Sequence, residues 1–160
     1  MKKKFLFPTI ALLLLIVLAS ITFAPLAARE RQFQLKGSLE ATQTIEVVFP
    51  IGHIDLTGTG TATHLGRYTF LLQAELHLPT LTGTGTATLV AADGSTLFLE
   101  GSGQGTPTDD PNVVWVVDTF TITGGTGRFA GATGDVTVER MLDRVTWTSS
   151  GDISGTIVLP

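Results

Sequence analysis

There is no cysteine anywhere in the 160 residues. That excludes a disulfide framework, a thiolate zinc site and a cysteine nucleophile. Charge is scarce as well. Asp, Glu, Lys and Arg make up 15% of the chain, against ~25% in an average globular protein, so a solvated disordered tail is excluded for most of its length. Cations are the scarcer sign: 10 Lys and Arg face 14 Asp and Glu, a formal net charge of -4. That balance argues against nucleic acid as a partner. Helical periodicity is missing from residue 33 onward. What is present there is Thr, Val, Ile, Phe and all 18 glycines, in a length that fits one domain of roughly 100–200 residues.

The single long hydrophobic run stands at the start. Lys2, Lys3 and Lys4 precede a charge-free stretch from Phe5 to Ala28, whose centre, Ile10 to Ala19, is almost pure Leu, Ile, Val and Ala. A basic head, an apolar middle and small residues at the end are the layout of a secretory signal peptide. Cleavage after Ala28 would leave Leu26 where a small residue is usual, and the run is long enough to cross a bilayer at ~1.5 Å per residue. The expectation is an export helix over residues 1–28, acting as a cleaved signal peptide or an uncleaved anchor, followed by one domain over 29–160. Three lysines before the run, against Arg29 and Arg31 after it, favour the Lys end inside. The domain is expected to be secreted or extracytoplasmic, with membrane contact only through an uncleaved N-terminal segment. Removing residues 1–28 takes away three Lys and no acid, leaving 7 cations against 14 acids and a net charge near -7. Such a domain has little affinity for anionic surfaces.

Beyond residue 32 the apolar residues alternate with period two, which predicts strands. They are expected at 33–40, 44–49, 53–64, 67–78, 82–92, 95–104, 112–123, 135–142 and 152–158. In the clearest, Tyr68, Phe70, Leu72, Ala74, Leu76 and Leu78 form one apolar face. Asp93-Gly94 predicts a two-residue type I′ hairpin. Gly58-Thr-Gly-Thr-Ala-Thr63 recurs as Gly83-Thr-Gly-Thr-Ala-Thr88, suggesting two similar strands that bend at paired glycines. A lone echo is too little for a solenoid or propeller. Closing the strands would remove exposed edges, a hazard for an exported Val- and Thr-rich chain. An all-β, closed antiparallel up-and-down barrel of about eight strands is therefore favoured over a two-sheet sandwich.

The most distinctive segment runs Asp118-Thr-Phe-Thr-Ile-Thr-Gly-Gly-Thr-Gly-Arg-Phe-Ala-Gly-Ala-Thr-Gly134. Its glycine spacing is wrong for a dinucleotide fingerprint, a strand follows instead of a helix, and no Lys-Ser/Thr pair makes it a P-loop. It reads as a structural loop in which Gly124, Gly125, Gly127, Gly131 and Gly134 allow Phe129 to fold back as an apolar plug. This segment resembles the corresponding loop of allene oxide cyclases and, more loosely, of plant dirigent proteins. The resemblance implies an eight-stranded barrel with an apolar cavity, commonly trimeric. Cyclases of that family act on an unsaturated fatty-acid epoxide, and dirigent proteins orient phenoxy radicals. Thr63-His64-Leu65-Gly66-Arg67 also resembles a segment of exported bacterial proteins with this loop.

Residues suited to chemistry are few. His53, His64 and His77 lack metal-ligand spacing, and His53-x-Asp55 offers two ligands where a site needs a third, so neither metal nor cofactor is expected. No Gly-x-Ser-x-Gly elbow is present. Asp109-Asp110, flanked by Pro107 and Pro111, reads as a solvated loop. Asp118 shares its strand face with Val114, Val116, Phe120 and Ile122. Either a bulge turns it outward, or it is a buried carboxyl with a raised pKa and a partner. By parity with Ile54, Leu56 and Ala62, His64 is expected at the interior end, with Arg67 at the rim. The ligand-binding candidates are His64, Arg67, Tyr68, Asp118 and Phe120, with Asp118 or His64 as acid–base if there is turnover. Two functions follow as expectations: a module that holds a small apolar ligand or serves a structural role without turnover, and an isomerase or cyclase using the same cavity.

Overall fold

Period-two alternation becomes one continuous sheet in the computed structural model, which describes residues 30–160. The export helix expected over 1–28 lies outside the described residues. The strands are β1 (Arg31–Val48), β2 (Ile51–Ala62), β3 (Gly66–His77), β4 (Thr82–Val90), β5 (Thr96–Pro107), β6 (Val113–Gly125), β7 (Thr133–Asp143) and β8 (Thr148–Leu159). Each pairs antiparallel with the next, and β8 returns to pair with β1, closing an up-and-down barrel without a free edge. The barrel has eight strands, as expected, although nine spans were marked along the sequence, because the separate spans 33–40 and 44–49 are one strand. Gln43 interrupts the apolar alternation in sequence but not the ladder: it stays inward and buried, in step with Leu35, Leu39 and Ala41.

The topology gives the barrel two unlike ends. The β2–β3, β4–β5 and β6–β7 connections gather at the end where the described chain starts and stops. There the core is filled by Leu35, Leu65, Leu97, Phe129, Ala132 and Ile157, all nearly inaccessible to solvent. The glycine segment makes this closure. A bulge opposite Phe98 and Leu99 leaves Thr123 without a ladder partner. The chain then turns through a single 3-10 turn, Gly127–Phe129, that drops the Phe129 ring into the core. Gly127 is required twice over: its φ is +59°, and a Cβ there would strike the Ser95 hydroxyl. Arg128 ties the three connections together. Its guanidinium donates to the His64 carbonyl at 2.8 Å, pairs with Asp93 at 3.2 Å and lies over the Phe129 ring at 4.8 Å.

Two local expectations change at this closed end. The Asp93-Gly94 connection is a longer turn, not a two-residue hairpin. The Ala91 N–H donates to the Ser95 carbonyl, and the Asp93 carboxylate accepts from the Ser95 N–H. That bond, with Arg128 nearby, holds the Asp93 carboxyl below its usual range. The β2 strand also ends at Ala62, two residues short of expectation, which changes where His64 lies.

Candidate functional site

The opposite end, formed by the β1–β2, β3–β4, β5–β6 and β7–β8 hairpins, is open. Inside it lies a cavity of about 310 Å³, walled mainly by aliphatic side chains such as Ile45, Ile54, Leu76, Leu78 and Leu142. That is at the small end of ligand-pocket volumes, roughly 300–1,000 Å³. The empty space arises from which inward positions carry glycine. On β4 and β5, Gly83 pairs with Gly103 and Gly85 with Gly101, so four facing positions contribute no side chain to the cavity wall. The other copy of the echoed segment, on β2, is used differently: there Gly58 and Gly60 make room for the rings of Phe70 and Tyr68.

At the cavity floor lie the buried polar residues Asp118, Arg140 and Gln43, with Ser149 beside them. Asp118 points inward in register with its apolar neighbours, opposite Gly103, where any Cβ would collide with the Asp118 carboxylate Oδ1. Arg140, inward on β7 between Val138 and Leu142, donates through Nε to Asp118 Oδ2 at 3.1 Å. Its Nη1 reaches Gln43 Oε1 and Ser149 Oγ, each at 3.5 Å, the long limit for hydrogen bonds. Burial pushes the Asp118 carboxyl above its ordinary range, and the Arg140 charge and hydrogen bond only partly offset that push. Of the two alternatives left open by sequence, the inward carboxyl with a partner is the one present.

The other candidate residues separate. Phe120 stands on the same face of β6 as Asp118 and lines the cavity. Tyr68 is buried beneath the cavity, its hydroxyl directed to the Ser38 carbonyl at 3.3 Å, and burial pushes its pKa up to about 12. His64 and Arg67 do not join them. His64 sits in the closed-end turn with φ +63°, exposed, its ring 4.9 Å from that of Phe33. Arg67, the second residue of β3, lies at that same end and is exposed. The interior placement expected for His64 fails because the chain leaves the strand at Ala62, so parity no longer governs where the side chain points. His53 and Asp55 are both exposed on the outer face of β2, with His53 3.8 Å from Glu75. No cluster of three metal-ligating residues forms among the described residues.

Sequence reading did not name Arg140. Its signal was present in the same form as that for Asp118: Val136, Val138 and Leu142 share its parity. Trp147 and Leu81 also line the cavity near the mouth, both with positive φ, +56° and +53°. Such values are uncommon outside glycine, and neither was legible from residue type.

No family model and no curated protein matches the chain. Solved structures do. A pterocarpan synthase dirigent protein aligns over 81% of this chain and 88% of its own, with a TM-score of 0.55 and 13% identity. The fold is dirigent-like. At that identity the likeness speaks for the barrel and its strand order alone.

Proposed function

We propose that this protein is an exported barrel that holds one small apolar ligand in its mouth-end cavity, without turnover. The observation that carries the reading is the asymmetry of the core: below the polar floor it leaves only a void of about 30 Å³, and above it lies an apolar cavity of about 310 Å³. Small barrels either fill their interiors or hold one ligand, and a mostly apolar pocket with a few convergent polar groups is the usual form of a small-molecule site. The resemblance adds a self-associated, trimeric state, which sedimentation equilibrium measures. Export rests on the layout of residues 1–28.

The test is saturable binding of a neutral apolar fluorophore, N-phenyl-1-naphthylamine, to protein purified from expression of the full chain. Ala74→Leu, which fills space in the cavity wall, should weaken binding at least tenfold with the fold intact by circular dichroism. Non-saturable uptake, or uptake indifferent to Ala74→Leu, would overturn the reading. One observation favours a second function, an allene oxide cyclase-like isomerase or cyclase acting on an unsaturated lipid-like substrate. Asp118 is a carboxyl whose burial favours its protonated form, and it faces an apolar cavity where a proton donor could serve. That reading requires turnover that Asp118→Asn abolishes.

A further inference from the structure

The polar floor of the cavity is not saturated by its own partners. Asp118 accepts from Arg140 on Oδ2 alone, and Arg140 donates through Nε and Nη1. Among the described residues, Oδ1 of Asp118 and Nη2 of Arg140 make no hydrogen bond, yet no enclosed side-chain polar atom lacks a partner. These two atoms are therefore not enclosed by protein. Both residues line the cavity and also a void of about 30 Å³ on its inner side, which has room for about two waters at ~10–15 Å³ each, so a larger head group reaches them from the cavity. With Asp118 ionised the charges of the pair cancel, and the floor offers one acceptor and one donor that have no protein partner.

From this arrangement, and resting on the ligand-holding reading above, we infer that the cavity selects an apolar molecule with one uncharged head that both donates and accepts, an alcohol or a primary amide. The head donates to Oδ1 and accepts from Nη2, and the apolar body extends toward the mouth along Leu76 and Leu78. A carboxylate head would set a second negative charge beside Asp118, and an amine would set a second cation beside Arg140. Both leave an uncompensated charge in a poorly hydrated site, where a like-charge neighbour is strongly unfavourable.

The molecule carries its own reporter. Of the two tryptophans, Trp147 lines the cavity and Trp115 stands half-exposed on the outer wall. Full-chain protein with Trp115→Phe is titrated at pH 8 with 1-decanol, decanoate and decylamine, following Trp147 emission. The expected result is saturable binding of decanol, at least tenfold tighter than decanoate or decylamine. Asp118→Asn removes the negative member of the pair and keeps an acceptor for Nε–H, so decanoate should then bind at least tenfold tighter than it does to the parent. Equal affinity for all three ligands, or tighter binding of decanoate by the parent, overturns the head-group inference and leaves the ligand-holding reading intact. No saturable binding of any of the three, in protein that also fails to bind the neutral fluorophore, overturns both.

Discussion

Replacing Arg140 with Met gives the sharpest test of what the cavity floor contributes to stability. The substitution keeps a long side chain on the inner face of β7 but leaves the Asp118 carboxyl buried without its cation. Removing one partner of a buried pair costs about 3–5 kcal/mol, and here the cost must depend on pH. Burial already raises the Asp118 pKa while Arg140 holds it down, so without Arg140 it rises further. A carboxyl whose folded-state pKa exceeds its unfolded value of ~3.9 contributes stability below that unfolded value. The contribution is lost as pH rises through the folded-state pKa. Arg140→Met should therefore cost only about 1 kcal/mol at pH 4, where Asp118 is neutral and the loss is that of weak hydrogen bonds to Gln43 and Ser149. At pH 8 the cost should reach about 3–5 kcal/mol, because the variant then holds an ionised carboxylate buried without its cation. Urea denaturation of parent and variant at both pH values measures the difference directly. Adding Asp118→Leu should return the double variant to within about 1 kcal/mol of the parent, since a well-packed apolar pair often replaces a buried ion pair without loss. A cost equal at the two pH values, or a double variant no better than the single, would refute this account of the floor.

Other consequences can be checked separately. Phe129→Ala should cost about 3–5 kcal/mol, because the ring is fully buried among closed-end residues, and its denaturation midpoint should fall far more than that of Asp118→Asn. Gly103→Ala should cost about 1–3 kcal/mol as the new methyl displaces the Asp118 carboxylate; an unchanged midpoint would mean that the strands have room to part. Tyr68 is the sole tyrosine in the chain, so tyrosinate absorbance reads it alone. It should titrate near 12 when folded and near ~10 in urea, and stability should fall as pH rises between those values, since the folded state holds the proton more tightly. Residues 1–28 fused to a reporter should direct it out of the cytoplasm; retention inside would remove the basis for export.

Much of the barrel was legible because its strands obey a two-residue period that side chains cannot disguise. On β3 every inward residue from Tyr68 to Leu76 could be assigned from sequence, and closure followed from the hazard that exposed edges pose to a Val- and Thr-rich chain. Errors arose where a polar residue occupied an inward position, or where the chain left the ladder. Gln43 looked like a break, although its amide oxygen meets Arg140 across the interior, a contact 97 positions apart in the chain. His64 looked inward because nothing in Thr63-His64-Leu65 announces a left-handed turn residue. Asp118 was found by parity and Arg140 was not, although the same test applies to both. The cavity was expected only from the resemblance; its cause could not be read from the sequence, because it depends on Gly83 and Gly85 facing Gly103 and Gly101, and that register is set by the whole sheet.

The meeting of β1 and β8 carries a consequence for how this molecule can be handled. Arg31 lies beside Leu159 in the ladder, at the sealed end, so both termini of the described chain emerge as neighbours on the side remote from the mouth. A tether to a membrane, a bead or a fused protein at either terminus leaves the opening unobstructed and pointed away from whatever holds it. A short peptide bridge between Pro160 and Arg31, with new termini cut at the Phe49-Pro50 hairpin, would yield a rearranged gene for the same barrel. In that version the mouth, not the seal, would bear the attachment.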